Sequence, residues 1–344
     1  MFGKCLDEDL ERIVKNPLCG ELFHSSVLIT GATGLIGLSL ARLFILMNEK
    51  YDADITMHLL IRSREKLNSL LGEYAQKDYI RAHTGDIISF TSFDGDIDYA
   101  FHCASITNSK MMITKPVDTI LTSVNGTENI LKIAIEKNVK SAVYLSSMEM
   151  YGSYDGDVHE TEYGFVDPLA VRSCYPESKR MCENLCVAYY TQYSLPVKIA
   201  RLAQTFGAGV LPGENRVFAQ VANSAINTED IVLRTEGTSV GNYCYIADAL
   251  EGLLTILLKG NDGEAYNVVN ESMSMQIREM AALVASQIAG GEISVKFEIQ
   301  DLSKSGYAPE THMYLKADKL KKLGWQPVVH MTGAYQRMIE DMIL

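Results

Sequence analysis

The chain has 344 residues, of which 47% are hydrophobic and 22% charged, with a mean hydropathy of +0.01; a small disulfide-stapled scaffold and a disordered tail are both excluded. Thirty-one Lys and Arg against 43 Asp and Glu leave a net charge of −12, so no global positive field exists to gather phosphate backbones, and nucleic acid is not an expected partner. The length predicts roughly two domains, or one with a substantial appendage.

Leu6, Leu10, Ile13 and Val14 fall at helical spacing and Pro17 stops the pattern, so residues 1–22 read as an accessory amphipathic helix beside the main body. Charges stand in this segment where a signal peptide needs an apolar stretch, and no run reaches the roughly 18 apolar residues of a membrane span. A soluble, cytoplasmic chain with no membrane partner is expected. From residue 23 to 205, buried-strand runs (27–30, 55–61, 79–85, 99–105, 141–147 and 197–203) alternate with stretches of helical period such as 38–48, 117–137 and 177–193. Continuous apolar strands separated by helices mean a parallel sheet covered on both faces. The fold class is therefore α/β, a doubly wound parallel sheet of the Rossmann type. Beyond residue 205 the rhythm breaks into loops such as TFGAGVLPGEN and RTEGTSVGN. Residues 206–344 read mainly as a smaller C-terminal substrate-binding lobe, roofing the crevice at the carboxyl ends of the strands, with segments returning to the Rossmann sheet.

The run VLITGATGLIG passes from strand into helix and places Gly31, Gly34 and Gly37 at G-x-x-G-x-x-G spacing. One glycine permits the tight turn, one lets backbone approach a pyrophosphate, and one lets helix pack close on strand. Thr33, Leu35 and Ile36 complete the turn whose N–H groups would meet the phosphates. The second strand ends in Leu60-Ile61-Arg62-Ser63-Arg64, without the acidic residue that accepts from an NAD ribose. Arg62 and Arg64 suit a 2′-phosphate, so NADP is expected ahead of NAD. Asp86 is placed to accept from the adenine amine, and Ile87 and Ala104 complete the expected cofactor contacts.

Tyr175 and Lys179 stand four residues apart on one predicted helix face. A phenol titrates near 10; a neighbouring ammonium and a positive nicotinamide ring would favour the phenolate and make it a base. Upstream, a strand ends in Leu145-Ser146-Ser147-Met148-Glu149-Met150-Tyr151-Gly152. With these motifs in place the chain resembles the extended short-chain dehydrogenase/reductase family, in its nucleotide-sugar epimerase and dehydratase branch. The resemblance runs from the glycine loop through YPESK to the closing KLKKLGWQP.

It implies a Rossmann-fold enzyme in which Ser147 hydrogen-bonds the sugar hydroxyl being oxidised, Tyr175 is the base, and Lys179 binds ribose and lowers the phenol pKa. It also implies that Glu149, in the S-x-E frame that 4,6-dehydratases and uronic-acid decarboxylases carry, removes the C5 proton after oxidation at C4. Met148 stands where dehydratases often carry an acid, and a thioether donates no proton. Gly241 stands where the family usually has a diphosphate-binding Arg, and the later PETHMYLKADK segment lacks the second one. Arg216 is the first substitute, with Arg172 and Arg201 as alternatives. Ser105, Arg216 and Tyr245 form the expected substrate contacts, and Ser123 replaces a usual Asn.

The expected activity is that of an NAD(P)-dependent nucleotide-sugar 4,6-dehydratase/epimerase-type enzyme: C4 oxidation, C5 deprotonation and hydride return. Alternatives are an NADPH-dependent ketosugar reductase, a nucleotide-sugar 4-epimerase or uronic-acid decarboxylase, and a non-enzymatic cofactor-binding protein. The resemblance further implies a homodimer through a four-helix bundle built on residues 117–137 and 175–193. The seven cysteines (5, 19, 103, 174, 182, 186 and 244) show no C-x-x-C pair, so reduced thiols and no metal site are expected. His58, His83 and His102 read as buried, neutral residues.

Overall fold

The order in which the chain lays down its sheet creates the crevice. In the computed structural model, which describes residues 2–300 and 310–343, the first three strands are β1 (Ser26–Thr30), β2 (Thr56–Ile61) and β3 (Ile80–Thr84). The remainder are β4 (Tyr99–His102), β5 (Ser141–Ser147), β6 (Val197–Leu202) and β7 (Ala265–Val268). They pair in parallel in the order β7-β6-β5-β4-β1-β2-β3. The chain builds outward from β1 to β3, then returns to the other side of β1 with β4. The loops after β1 and β4 therefore diverge, leaving a switch point between them.

The helices are α1 (Lys4–Val14), α2 (Leu35–Tyr51), α3 (Arg64–Leu71), α4 (Ser109–Thr114), α5 (Pro116–Glu136) and α6 (Cys174–Tyr193), followed by α7 (Val217–Asn227) and α8 (Ile246–Lys259). Two apolar layers cover the sheet. One holds Leu28, Leu60, Ala142 and Tyr144 against α5 and α6, including Ile130, Cys182 and Cys186. The other holds Val27, Ile29, Phe101 and Val143 and continues without a break through α2, α8 and the C-terminal helix Met331–Ile343. The N-terminal helix belongs to this second layer: Leu6, Leu10 and Ile13 are fully buried. Arg12 pairs with Asp248 at 2.9 Å and with Glu251 at 2.6 Å on α8.

The six strand runs and three long helices expected from the pattern are all present, extended or trimmed by a few residues. The seventh strand, β7, lies well past residue 205, in the run Ala265-Tyr266-Asn267-Val268 against β6. The other strands that the C-terminal part contributes are short paired segments between its helices: 204–206 with 243–245, 231–233 with 295–297, 240–241 with 275–276, and 312–315 with 155–158. Among the described residues no helix is long and apolar enough to cross a membrane.

Candidate active site

Gly31 ends β1 with a positive φ of 66°. A Cβ there would stand 2.9 Å from the backbone of Ala104, at the end of β4, and one at Gly37 would stand 2.5 Å from the Gly31 carbonyl. Both positions are closed to any side chain. Gly34 is exposed, caps α2, and would meet only the Gly31 oxygen at 3.4 Å. The glycine that a pyrophosphate needs open is thus open, and the two that serve turn and packing are packed. The N–H groups of Leu35 and Ile36 begin α2 behind it, with Thr33 half-buried in the turn.

The crevice floor is braced by polar contacts below it. Thr30 Oγ1 lies 2.8 Å from His102 Nδ1 and accepts the Ala104 N–H at 3.1 Å, and His102 Nε2 meets Thr127 Oγ1 at 3.1 Å. Burial brings the His102 imidazole down to about 3, so it is neutral. His58 and His83 stack at 5.3 Å between centroids, and burial holds both below the usual histidine range. Arg62 follows β2, exposed and without an ion pair among the described residues. Arg64 instead turns to the Ala75 carbonyl at 3.2 Å. Asp86 is exposed after β3 and accepts from the Ile88 N–H at 2.9 Å, while Ile87 tucks under α5 against Gly126. Ser105, after Ala104, has a buried hydroxyl with no partner among the described residues, as does Ser123 on α5.

Tyr175, Lys179, Ser147 and Glu149 come together at the carboxyl end of β5. The Ser147 hydroxyl accepts the Glu149 N–H at 3.2 Å and favours the ionised Tyr175 phenol. Lys179 is buried, donates to the Leu145 carbonyl at 2.7 Å, and lies 5.7 Å from the centre of the Tyr175 ring. Burial brings its ammonium down to about 8. Burial also pushes the Tyr175 phenol well above its ordinary value, helped by Glu149 and opposed by Ser147, Arg172 and Arg216. In the protein alone, desolvation therefore outweighs the expected lowering of the phenol pKa.

Each of the two arginines facing Tyr175 is held by a carboxylate. Arg172 Nη2 meets Glu149 Oε2 at 2.7 Å, with its guanidinium carbon 5.9 Å from the Tyr175 ring centre. Arg216 is held at 2.6 Å and 3.0 Å by Glu214 and lies over Phe218 at the start of α7. Sequence reading missed both partners: Glu149 and Arg172 are 23 residues apart, and only the packing of the 148–151 turn against the start of α6 joins them.

Two expected contacts are not in the crevice. Tyr245 is fully buried and donates to Asp9 Oδ2 at 2.5 Å, so its hydroxyl ties α1 to the core instead of meeting substrate. Arg201, 3% exposed, is enclosed by Glu183 at 2.7 Å, the Tyr151 hydroxyl at 2.8 Å and the Glu160 carbonyl at 2.8 Å. It braces β6 against α6 and is closed to a diphosphate. Of the PETHMYLKADK stretch, Pro309 lies outside the described residues, and His312 faces Glu310 at 3.4 Å. All seven cysteines are free, and no group of three potential ligands among the described residues is arranged to hold a metal ion.

The model of the NAD dependent epimerase/dehydratase family matches residues 27–270. UDP-glucuronic acid decarboxylase 3 from Arabidopsis thaliana is 29% identical over 322 residues, covering 92% of this chain and 89% of that protein. Among solved structures, UDP-glucuronic acid 4-epimerase from Bacillus cereus, in complex with UDP-glucuronic acid and NAD, superposes with a TM-score of 0.76 at 18% identity, over 92% of this chain and 99% of the other. The dTDP-glucose 4,6-dehydratase DesIV from Streptomyces venezuelae gives 0.74 at 22% identity, over 92% and 97%. At such identities the structural likeness establishes the fold.

Proposed function

The chain belongs to the NAD dependent epimerase/dehydratase family, and on that premise we propose that it is a redox-neutral enzyme acting on a nucleotide-linked hexuronic acid, oxidising C4, releasing C6 as carbon dioxide and re-reducing C4. The observation that carries this reading is Glu149 beside Met148 at the edge of Tyr175. Once C4 is a ketone, the C6 carboxylate is that of a β-keto acid. The C5–C6 bond breaks, its electron pair passes into an enolate across C5 and C4, and one proton must then arrive at C5. A 4,6-dehydratase needs an acid for its departing hydroxyl, and the buried thioether of Met148 has no proton to give. Loss of carbon dioxide needs none. A plain 4-epimerase would leave Glu149 without a task.

The closed positions of Gly31 and Gly37 and the open one of Gly34 fit a dinucleotide, which Lys179, Arg62, Asp86, Ile87 and Ala104 would hold along the crevice. When bound, it supplies a reversible hydride acceptor for C4. Tyr175 takes the proton from the C4 hydroxyl, Ser147 orients that hydroxyl, and the Lys179 charge favours the phenolate. Glu149 takes up a proton from water and delivers it to C5. Ser105 and Arg216 face the sugar nucleotide from below and from the lobe, and Arg216 is the cation for the diphosphate. Arg62 favours the second reading, an NADPH-dependent ketosugar reductase, because a 2′-phosphate suits it better than a bare hydroxyl. The partner is a second copy of this chain, across α5 and α6.

The test is to incubate the NAD- or NADP-loaded protein with UDP-glucuronate and follow carbon dioxide and the nucleotide products by mass spectrometry. Release of carbon dioxide with a UDP-pentose is expected. An isomer of unchanged mass would mean epimerisation, loss of water from UDP-glucose a dehydratase, and stoichiometric NADPH consumption by a ketosugar a reductase.

A further inference from the structure

We propose that Arg172 reads the substituent on C6 of the sugar: in the free enzyme its guanidinium holds Glu149, and on binding it exchanges that carboxylate for the C6 carboxylate of the substrate. This inference rests on the reading of the site as one for a nucleotide-linked uronic acid and names the residue that makes it so.

The placement follows from the shape of a pyranose. The C4 hydroxyl must meet Tyr175 and Ser147. C6 hangs from C5, next to C4, whereas the diphosphate hangs from C1, across the ring. A cation packed against the Tyr175 ring, as Arg172 is at 5.9 Å, therefore meets the C6 end. Arg216, on the lobe and chelated by Glu214, is left for the diphosphate end. Arg172 enters α6 from the short 171–173 turn, three residues before Tyr175, so the two side chains are set by the same backbone.

The side chains of Arg172 and Glu149 are 15% and 30% exposed, partly sunk and shielded, so removing Glu149 without a replacement anion would cost the guanidinium its carboxylate in a partly desolvated place. A C6 carboxylate replaces it like for like, with the same charge and the same planar fork for the guanidinium. The C6 hydroxyl of a neutral hexose does not. Selection thus comes from the internal anion as well as from Arg172, since a neutral sugar has to leave Glu149 where it is. The exchange also releases Glu149 beside C5, where, once it has taken up a proton from water, it can hand that proton to the C5 enolate.

Binding of UDP-glucuronate, UDP-glucose and UDP would be measured by calorimetry on cofactor-loaded protein in a Tyr175→Phe background, which prevents turnover. The parent is expected to favour UDP-glucuronate over UDP-glucose by ~10–100-fold, the worth of one charge-assisted bond. Arg172→Gln should shrink that preference to within about threefold while UDP affinity holds, and Arg172→Lys, which keeps the charge and loses the fork, should fall between. Glu149→Gln removes the internal competitor and should tighten UDP-glucuronate alone, an effect that loss of folding cannot imitate. A glucuronate preference that survives in Arg172→Gln overturns the inference and leaves the decarboxylase reading standing. Equal binding of both sugars by the parent overturns it as well, while carbon dioxide release judges the decarboxylase reading separately.

Discussion

The phenol of Tyr243 lies in the space where any side chain at Gly241 would begin, and its hydroxyl is buried without a hydrogen-bond partner among the described residues. The arginine missing at 241 is thus not a simple deletion, because the neighbouring strand residue has closed over its place. A buried, unpartnered hydroxyl costs about 1–3 kcal/mol. Tyr243→Phe should therefore raise stability by about 1 kcal/mol in denaturant unfolding at unchanged slope. Gly241→Ala should lower it by about 1–3 kcal/mol through overpacking. A destabilised Tyr243→Phe would mean that its hydroxyl has a partner after all.

Lys179 carries a cost of another kind, because its charge is buried. Its pKa in the folded protein, about 8, lies below the 10.5 of a free lysine, with burial the main cause. Between those values the unfolded chain binds more protons than the folded one, so stability from this group rises with pH. The penalty is fully present below pH 8 and released on approach to 10.5. Lys179→Met should thus stabilise the cofactor-free protein by about 1–3 kcal/mol at neutral pH, less whatever the orphaned Leu145 carbonyl costs. Melting curves from pH 7 to 10.5 check the sign: a gap between variant and parent that does not narrow rules out a buried lysine charge.

What the chain discloses before folding is what its local pattern carries. The glycine turn, the Tyr175 and Lys179 pair and the apolar strands β1 to β6 all follow from spacing within a dozen residues. The strand β7 does not. Its four residues include Asn267, whose side chain accepts from Tyr151 and donates to two backbone carbonyls, so it is a strand because β6 lies beside it. The placement of Tyr245 is hidden for a similar reason: it stands 236 positions along the chain from Asp9, and nothing local signals that the two meet. Helical amphipathy revealed the existence of α1 but not its depth, which depends on the C-terminal helix closing over it.

Arg62 supplies the cofactor prediction. It is exposed after β2, the strand ends without an acidic residue to accept from a ribose 2′-hydroxyl, and Arg64 is occupied with the Ala75 carbonyl. NADP(H) should bind more tightly than NAD(H) by about 1–3 kcal/mol. Arg62→Ala should erase most of that margin, and Arg64→Ala little of it. Fluorescence titration with both dinucleotides decides; equal affinities in the parent would leave Arg62 an ordinary surface residue.

The faces of α5 and α6 away from the sheet expose Val117, Ile120, Leu121, Met181 and Val187. Exposed apolar side chains on two adjacent helices are costly in water and suit a twofold mate. Light scattering at micromolar concentration should give a dimer mass, and a Leu121→Glu, Met181→Glu double variant should give a monomer with its circular dichroism intact. A monomeric parent would remove the four-helix bundle from consideration.

The remaining prediction assigns Tyr175, Ser147 and Glu149 to different steps of one reaction. In the proposed reaction the Tyr175 phenol takes the proton of the C4 hydroxyl, so Tyr175→Phe should keep cofactor affinity and lower all turnover by about 10²–10⁴. Ser147→Ala removes one orienting hydrogen bond and should cost less, about tenfold. Glu149 acts only after C4 has been oxidised. With UDP-glucuronate, Glu149→Gln should therefore pass through the oxidation and the C5–C6 cleavage and stop before C5 is protonated, so that absorbance of the reduced dinucleotide rises near 340 nm. Carbon dioxide should then appear in an amount close to that of enzyme, because bond cleavage needs no proton and only protonation of C5 is blocked. If the glutamine variant turns over normally, or if its absorbance fails to rise at all, Glu149 is not the group that moves the C5 proton.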